Sequence, residues 1–210
     1  MARAIAIALK QNWKQTWGSL NHRLLIIIGS VLMVMISCML PTFFNSIQKR
    51  TGPVLNDWLL AAVPPVNVSW AIFTVIWGWG LYALWRGIEK PTIYITYLWT
   101  FIFVTMLRVL AISLIPLDPP AGLVELKDPL TGVFYGQNVV TKDLFFSGHT
   151  SILFLTVLCL EKKRDKILAG CATFVVACLL MVQHVHYTID IIAAPVIIYP
   201  VYRLVKYLIG

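Results

Sequence analysis

Apolar positions in this chain fall in long, nearly unbroken runs, and short polar stretches separate them. A run of about 20 residues is enough to cross a bilayer as a helix. Such runs stand at roughly 24–44, 68–86, 92–115, 144–161, 167–186 and 188–209. The last two nearly touch, so the turn between them must be tight. The pattern predicts an all-α polytopic membrane protein with six transmembrane helices. No internal repeat or low-complexity segment interrupts it.

The first 23 residues differ. Ile5, Leu9, Trp13 and Trp17 recur every four positions, interleaved with Lys10 and Lys14. That spacing predicts an amphipathic helix lying in the membrane surface; a solvated tail is the plainer alternative. A cleavable signal peptide is not expected, because no short apolar core with a small-residue cleavage site stands there. The expected organisation is an interfacial segment at 1–23 and a six-helix transmembrane catalytic domain at 24–210.

Composition agrees with this reading. Hydrophobic residues make up 59% of the chain and charged residues only 12%, unlike an ordinary soluble domain. Cys38, Cys159, Cys171 and Cys178 all fall within expected spans and lack CxxC spacing. They read as small apolar residues, not as a disulfide framework or zinc site.

The formal net charge of +8 could suggest a nucleic-acid partner, but its distribution suggests a membrane. With the N-terminus cytoplasmic, the inner segments and their flanks hold Arg3, Lys10, Lys14, Arg23, Arg86, Lys90, Lys162, Lys163, Arg164, Lys166, Arg203 and Lys206. The outer loops hold Lys49, Arg50, Lys127 and Lys142. This is a positive-inside bias, and it makes a nucleic-acid partner unnecessary. Both termini are expected in the cytoplasm, with long loops at about 45–67 and 116–143 on the exoplasmic side.

This topology brings polar residues together. His149 lies at the outer end of the fourth run, His186 and Asp190 at the outer turn between the fifth and sixth, and Arg108 two turns from the outer end of the third. Ionisable groups in a membrane are costly and usually functional. His186 and Asp190 stand at i, i+4, a spacing that lets a helix pair them. A carboxylate on one ring nitrogen fixes the tautomer and leaves the other nucleophilic. Gly148 allows close backbone approach, Ser147 can hydrogen-bond an anion, and the planar fork of Arg108 suits phosphate. His184 points elsewhere on a helix and is given a supporting role. Together these groups fit phosphoryl chemistry without a required metal or other cofactor. One histidine attacks phosphorus, the other protonates the leaving oxygen, and Arg108 neutralises developing charge. Each group alone has a plainer reading: a packing histidine, a structural His–Asp pair, a metal ligand set, or a snorkelling arginine.

The motifs FSGHT (Phe146–Thr150) and HYTID (His186–Asp190) resemble those of the sphingomyelin synthase-like branch of the type 2 phosphatidic acid phosphatase superfamily. The resemblance extends over spans two to six and both outer loops. It implies a six-helix membrane fold with an active site facing the exoplasmic leaflet. It also implies that His186 is the nucleophile of a phospho-histidine intermediate, that Asp190 orients it, and that His149 is the acid for the leaving alcohol and the base toward the acceptor. The chain departs from the superfamily's phosphatases in three places. A lysine followed by an Arg-Pro pair is missing, since Lys90-Pro91 has no such arginine; Leu180 stands where an arginine precedes the nucleophile; and Phe146 replaces the proline of Pro-Ser-Gly-His. All three departures resemble the synthase branch and leave Arg108 as the candidate phosphate contact.

The outer loops offer further features. Asp57-Trp58 before Val63-Pro64-Pro65 reads as a short amphipathic element ending in a rigid turn, and Pro116, Asp118, Pro119 and Pro120 as a stiff exit from span three. Both either shape headgroup entry or simply terminate helices. Asp143 is read as the N-cap of the fourth span.

The expected function is a phospholipid headgroup (phosphoryl) transferase acting on a lipid alcohol such as ceramide or diacylglycerol. The alternatives are a lipid phosphatase using the same site with water, and a non-catalytic lipid-binding membrane protein. The expected partners are membrane lipids.

Overall fold

The computed structural model describes residues 11–126 and 140–209. Within them, residues 11–18 form a helical segment (α1), followed by α2 (Leu20–Gln48), the single turn α3 (Trp58–Ala61), α4 (Ser69–Glu89), α5 (Pro91–Leu114), α6 (Gly148–Cys159), α7 (Lys163–Val182) and α8 (Thr188–Ile209). The described residues contain no strand.

Among the described residues, four helices are long and apolar enough to cross a membrane: α2, α5, α7 and α8. The 21 residues of α4 give adequate length, but Trp70, Trp77, Trp79, Trp85 and three glycines lower its hydropathy. The run expected at 144–161 is where the structure differs most. Only its 12 residues Gly148–Cys159 are helical, about 18 Å of axis against a hydrocarbon core of about 30 Å. The reason is position. α6 packs against α4, α5, α7 and α8 at once, so its ends are covered by protein and need not reach an aqueous face. Seven of its residues are buried, among them Leu153, Leu155 and Cys159. Leu155 and Cys159 join Ile93, Val104, Phe146, Ala194 and Ile198 in the main apolar core; Leu153 joins Ile72, Ile76, Val176 and Leu180 in a second. α2 packs mainly on α5, through Ile36, Leu98 and Ile102.

The long helices alternate in direction, which gives the bundle two poles. At one, α4 ends and α5, α6 and α7 hand over through a charge network: Arg86 pairs with Glu89, Lys90 with Glu161, and the Tyr82 hydroxyl donates to Asp165 at 2.6 Å. α1 meets this pole. Trp13 donates its indole N–H to the Ile88 carbonyl at 2.7 Å and packs on Tyr94, so α1 is partly docked on the bundle through Trp13. Ile5, Leu9 and Lys10 of the expected surface helix lie outside the described residues.

At the other pole the loops interlock. Arg50 donates to the Ile112 and Ser113 carbonyls and so caps α5. The Gln48 amide bonds to Thr141 and Lys142, and Lys142 pairs with Asp118 at 2.7 Å. All the candidate site residues stand at this pole.

Candidate active site

The segment between α7 and α8 is built from buried polar residues. Asp190 is fully buried in the first turn of α8, and its carboxylate is fully engaged. Oδ2 accepts from the Tyr187 backbone N–H at 3.1 Å and faces His186 Nδ1 at 3.3 Å; Oδ1 accepts from the Phe145 N–H at 3.2 Å. A buried carboxylate is tolerable only when its lone pairs are met this way. The His186–Asp190 pair forms although His186 precedes the start of α8. An Asp190 N–H bond to the Tyr187 carbonyl closes the turn instead.

Opposite stands FFSGHT. Phe145 has φ +99°, which costs a non-glycine residue about 1–3 kcal/mol. That geometry accompanies the Phe145 bond to Asp190 and the bond from Ser147 N–H to the Asp190 carbonyl at 3.0 Å. Ser147 is fully buried, and its side chain caps α6 by accepting from the Thr150 N–H. The cap is therefore Ser147 and not Asp143, since the helix begins later than the apolar run suggested. Asp143 instead forms an ion pair with Arg108.

The second turn of α6 need not be reached to complete the site. His149 stands in its first turn, with ring centroids 6.2 Å from His186 and 6.0 Å from Phe73. Arg108, from α5, lies across the start of α6, its guanidinium over the Phe146 ring at 5.6 Å. A Cβ at position 148 would fall 1.6 Å from Arg108 Nη1, so only glycine admits the guanidinium there. The N-terminus of α6, with its partial positive charge, and a permanent cation thus share one spot, as an anion site requires. Burial opposes the charge of Asp143, but the Arg108 guanidinium beside it, helped by both histidines, holds its carboxyl below the usual carboxylate range.

The structure therefore brings together His149, His186, Asp190, Arg108, Ser147 and Gly148. Three contributors were not read from sequence as part of the site. Asp143 carried a signal, the opposite charge to Arg108 beside an apolar run. Gln183 and Tyr187 carried none, because their partners are backbone groups of distant loops. Gln183 bonds to Ser69, Val124, Glu125 and the Val68 N–H. The Tyr187 hydroxyl donates to the Asp118 carbonyl at 2.8 Å and accepts from the Leu55 N–H at 3.1 Å. His184, buried at φ +55°, sets its two ring nitrogens against the Ala121 and Val63 carbonyls at 2.9 and 2.8 Å.

Residues 142–207 match the family model described as PAP2 superfamily C-terminal. The match takes in FSGHT, HYTID and all of α6 and α7, and it stops short of Arg108. It supports the type 2 phosphatidic acid phosphatase superfamily, whose members are phosphatases or phosphotransferases, and so supports an enzyme in a membrane. No curated protein matches the chain.

Proposed function

We propose that the chain is a phospholipid headgroup transferase of the sphingomyelin synthase-like type, with six membrane crossings and its site at the exoplasmic leaflet. The observation that carries the reading is the His186–Asp190 pair facing His149 across 6.2 Å, with Arg108 at the N-terminus of α6. With Nδ1–H donated to Asp190, the His186 Nε2 lone pair is the nucleophile. It attacks phosphorus; the N–P bond forms as the P–O bond to the leaving alcohol breaks. His149 delivers a proton to that oxygen. The acceptor hydroxyl then attacks the phospho-histidine, returns its proton to His149 and frees His186. Arg108 and the α6 N-terminus stabilise the charge on the equatorial oxygens. In this scheme α4 and α6 complete the six crossings, α4 by length and α6 by protein cover. Water as acceptor makes the same site a lipid phosphatase, a reading that the superfamily match accommodates equally.

Product analysis tests both. Purified protein in micelles receives labelled phosphatidylcholine, phosphatidylethanolamine or phosphatidic acid, with and without ceramide or diacylglycerol. A new phospholipid that needs the lipid alcohol and is lost in His186→Ala is expected. Free phosphate without acceptor, equally dependent on His186, gives the phosphatase. Silence of folded protein across the panel overturns the headgroup reading.

A further inference from the structure

The loop between α2 and α4 has two unlike faces. Its inner face is tied bond by bond to the segment that carries His186. Leu55 N–H reaches the Tyr187 hydroxyl; Asp57 accepts from Thr188 N–H at 2.7 Å and from its hydroxyl at 3.0 Å; the Val63 carbonyl meets His184; Val66 N–H reaches the Val182 carbonyl at 3.0 Å. Leu60 is buried with Leu117, Leu144 and Tyr187. The loop is therefore held in place.

Its outer face is apolar and open. Val54, Leu55, Leu59 and Val66 are exposed, Trp58 is 79% exposed and Trp70, in the first turn of α4, is 85% exposed. A large apolar strip left open on a rigid scaffold has a partner. The charge pattern says which. Between Arg50 and Arg86 the one Asp, Glu, Lys or Arg is Asp57, and its carboxylate is turned inward to Thr188. The strip also continues into the outward face of α4, where Trp77 and Leu81 are exposed. Tryptophans at the end of an apolar helix are the mark of the membrane–water boundary, where the ring is half apolar and its N–H is met by headgroups.

We propose that residues 54–70 form a lipid-interface platform, seating Trp58 and Trp70 at the headgroup–acyl boundary of the leaflet on the site's side. Because the platform is bonded to residues 182–188, its depth in the leaflet sets the depth of His186. The proposal rests on helices that cross a bilayer, and not on the phosphoryl chemistry.

The test uses the full chain with its eight tryptophans replaced by 5-fluorotryptophan, in lipid nanodiscs. Fluorine resonances of residues 58 and 70 are assigned from Trp58→Phe and Trp70→Phe, with Trp58→Tyr and Trp70→Tyr as second variants should a phenylalanine disturb folding. Headgroup and upper-chain spin labels are expected to broaden both resonances several-fold more than an aqueous gadolinium chelate does. Stronger broadening by the chelate makes the strip a solvated loop and overturns the proposal. Insensitivity to both kinds of agent, with sedimentation showing a dimer, assigns the strip to a second copy and overturns it equally. No turnover is needed, so a failed phosphoryl assay leaves the result intact.

Discussion

At the scale of single residues, the site turns on one hydrogen atom at position 148. Gly148→Ala would drive Arg108 from the start of α6, because the new Cβ would overlap Nη1. The expected outcome is a fall in kcat of about 10²–10³-fold, the usual cost of removing one preorganised charge stabiliser, in a protein that still folds. Adding Arg108→Ala should cost nothing further, and steady-state kinetics on the two single variants and the double variant checks this. Asp143 yields a second prediction. Its carboxyl is held below the usual range by Arg108, so its folded pKa is lower than the unfolded value of about 3.9. The stabilisation is complete above that unfolded value and disappears as pH falls through the folded one. Thermal unfolding of wild type is expected to drop more steeply on acidification below about pH 4 than that of Asp143→Asn.

At the scale of elements, the segment between α7 and α8 holds the site's pole together. Tyr187→Phe keeps the buried ring but leaves the Leu55 N–H and the Asp118 carbonyl without their partner. A loss of about 1–3 kcal/mol is expected, with faster amide exchange at residues 53–57 as the local readout. The elements also show where sequence reasoning succeeds and stops. The His186–Asp190 spacing was enough to pair them, because a turn and a helix both close at that separation. The apolar run around His149 announced a helix but not its length. A run of leucines reads the same whether lipid or protein surrounds it, and only packing separates the two. Asp143 looked like a cap since caps precede apolar runs; the bend at Phe145–Phe146 moved the helix start onward and left the charge for Arg108. His184, given only a supporting part, turns out to bridge two loops, a role no local pattern can encode.

At the scale of the whole molecule, the alternating helices put Lys142 at the site's pole and Lys163 at the other. In a cysteine-free background, Lys142→Cys is expected to react with an impermeant maleimide added outside intact cells, and Lys163→Cys only after permeabilisation. Labelling in the reverse order would invert the exoplasmic assignment. The general plan, apolar helices with His149, His186, Asp190 and Arg108 gathered at one end, was legible from hydropathy and charge alone. The interlocking of the loops was not, since its bonds join residues far apart in the chain: Val68 to Gln183 across 115 positions, Val63 to His184 across 121, Asp57 to Thr188 across 131. Those separations bear on biosynthesis. A ribosome delivers the chain in order, and until the end of α7 and the start of α8 have emerged, the loop at residues 55–68 lacks these three partners. The site's pole therefore closes only after α2 to α7 have been made, and a product terminated before Gln183 would lack the bonds that hold residues 55–68 in place.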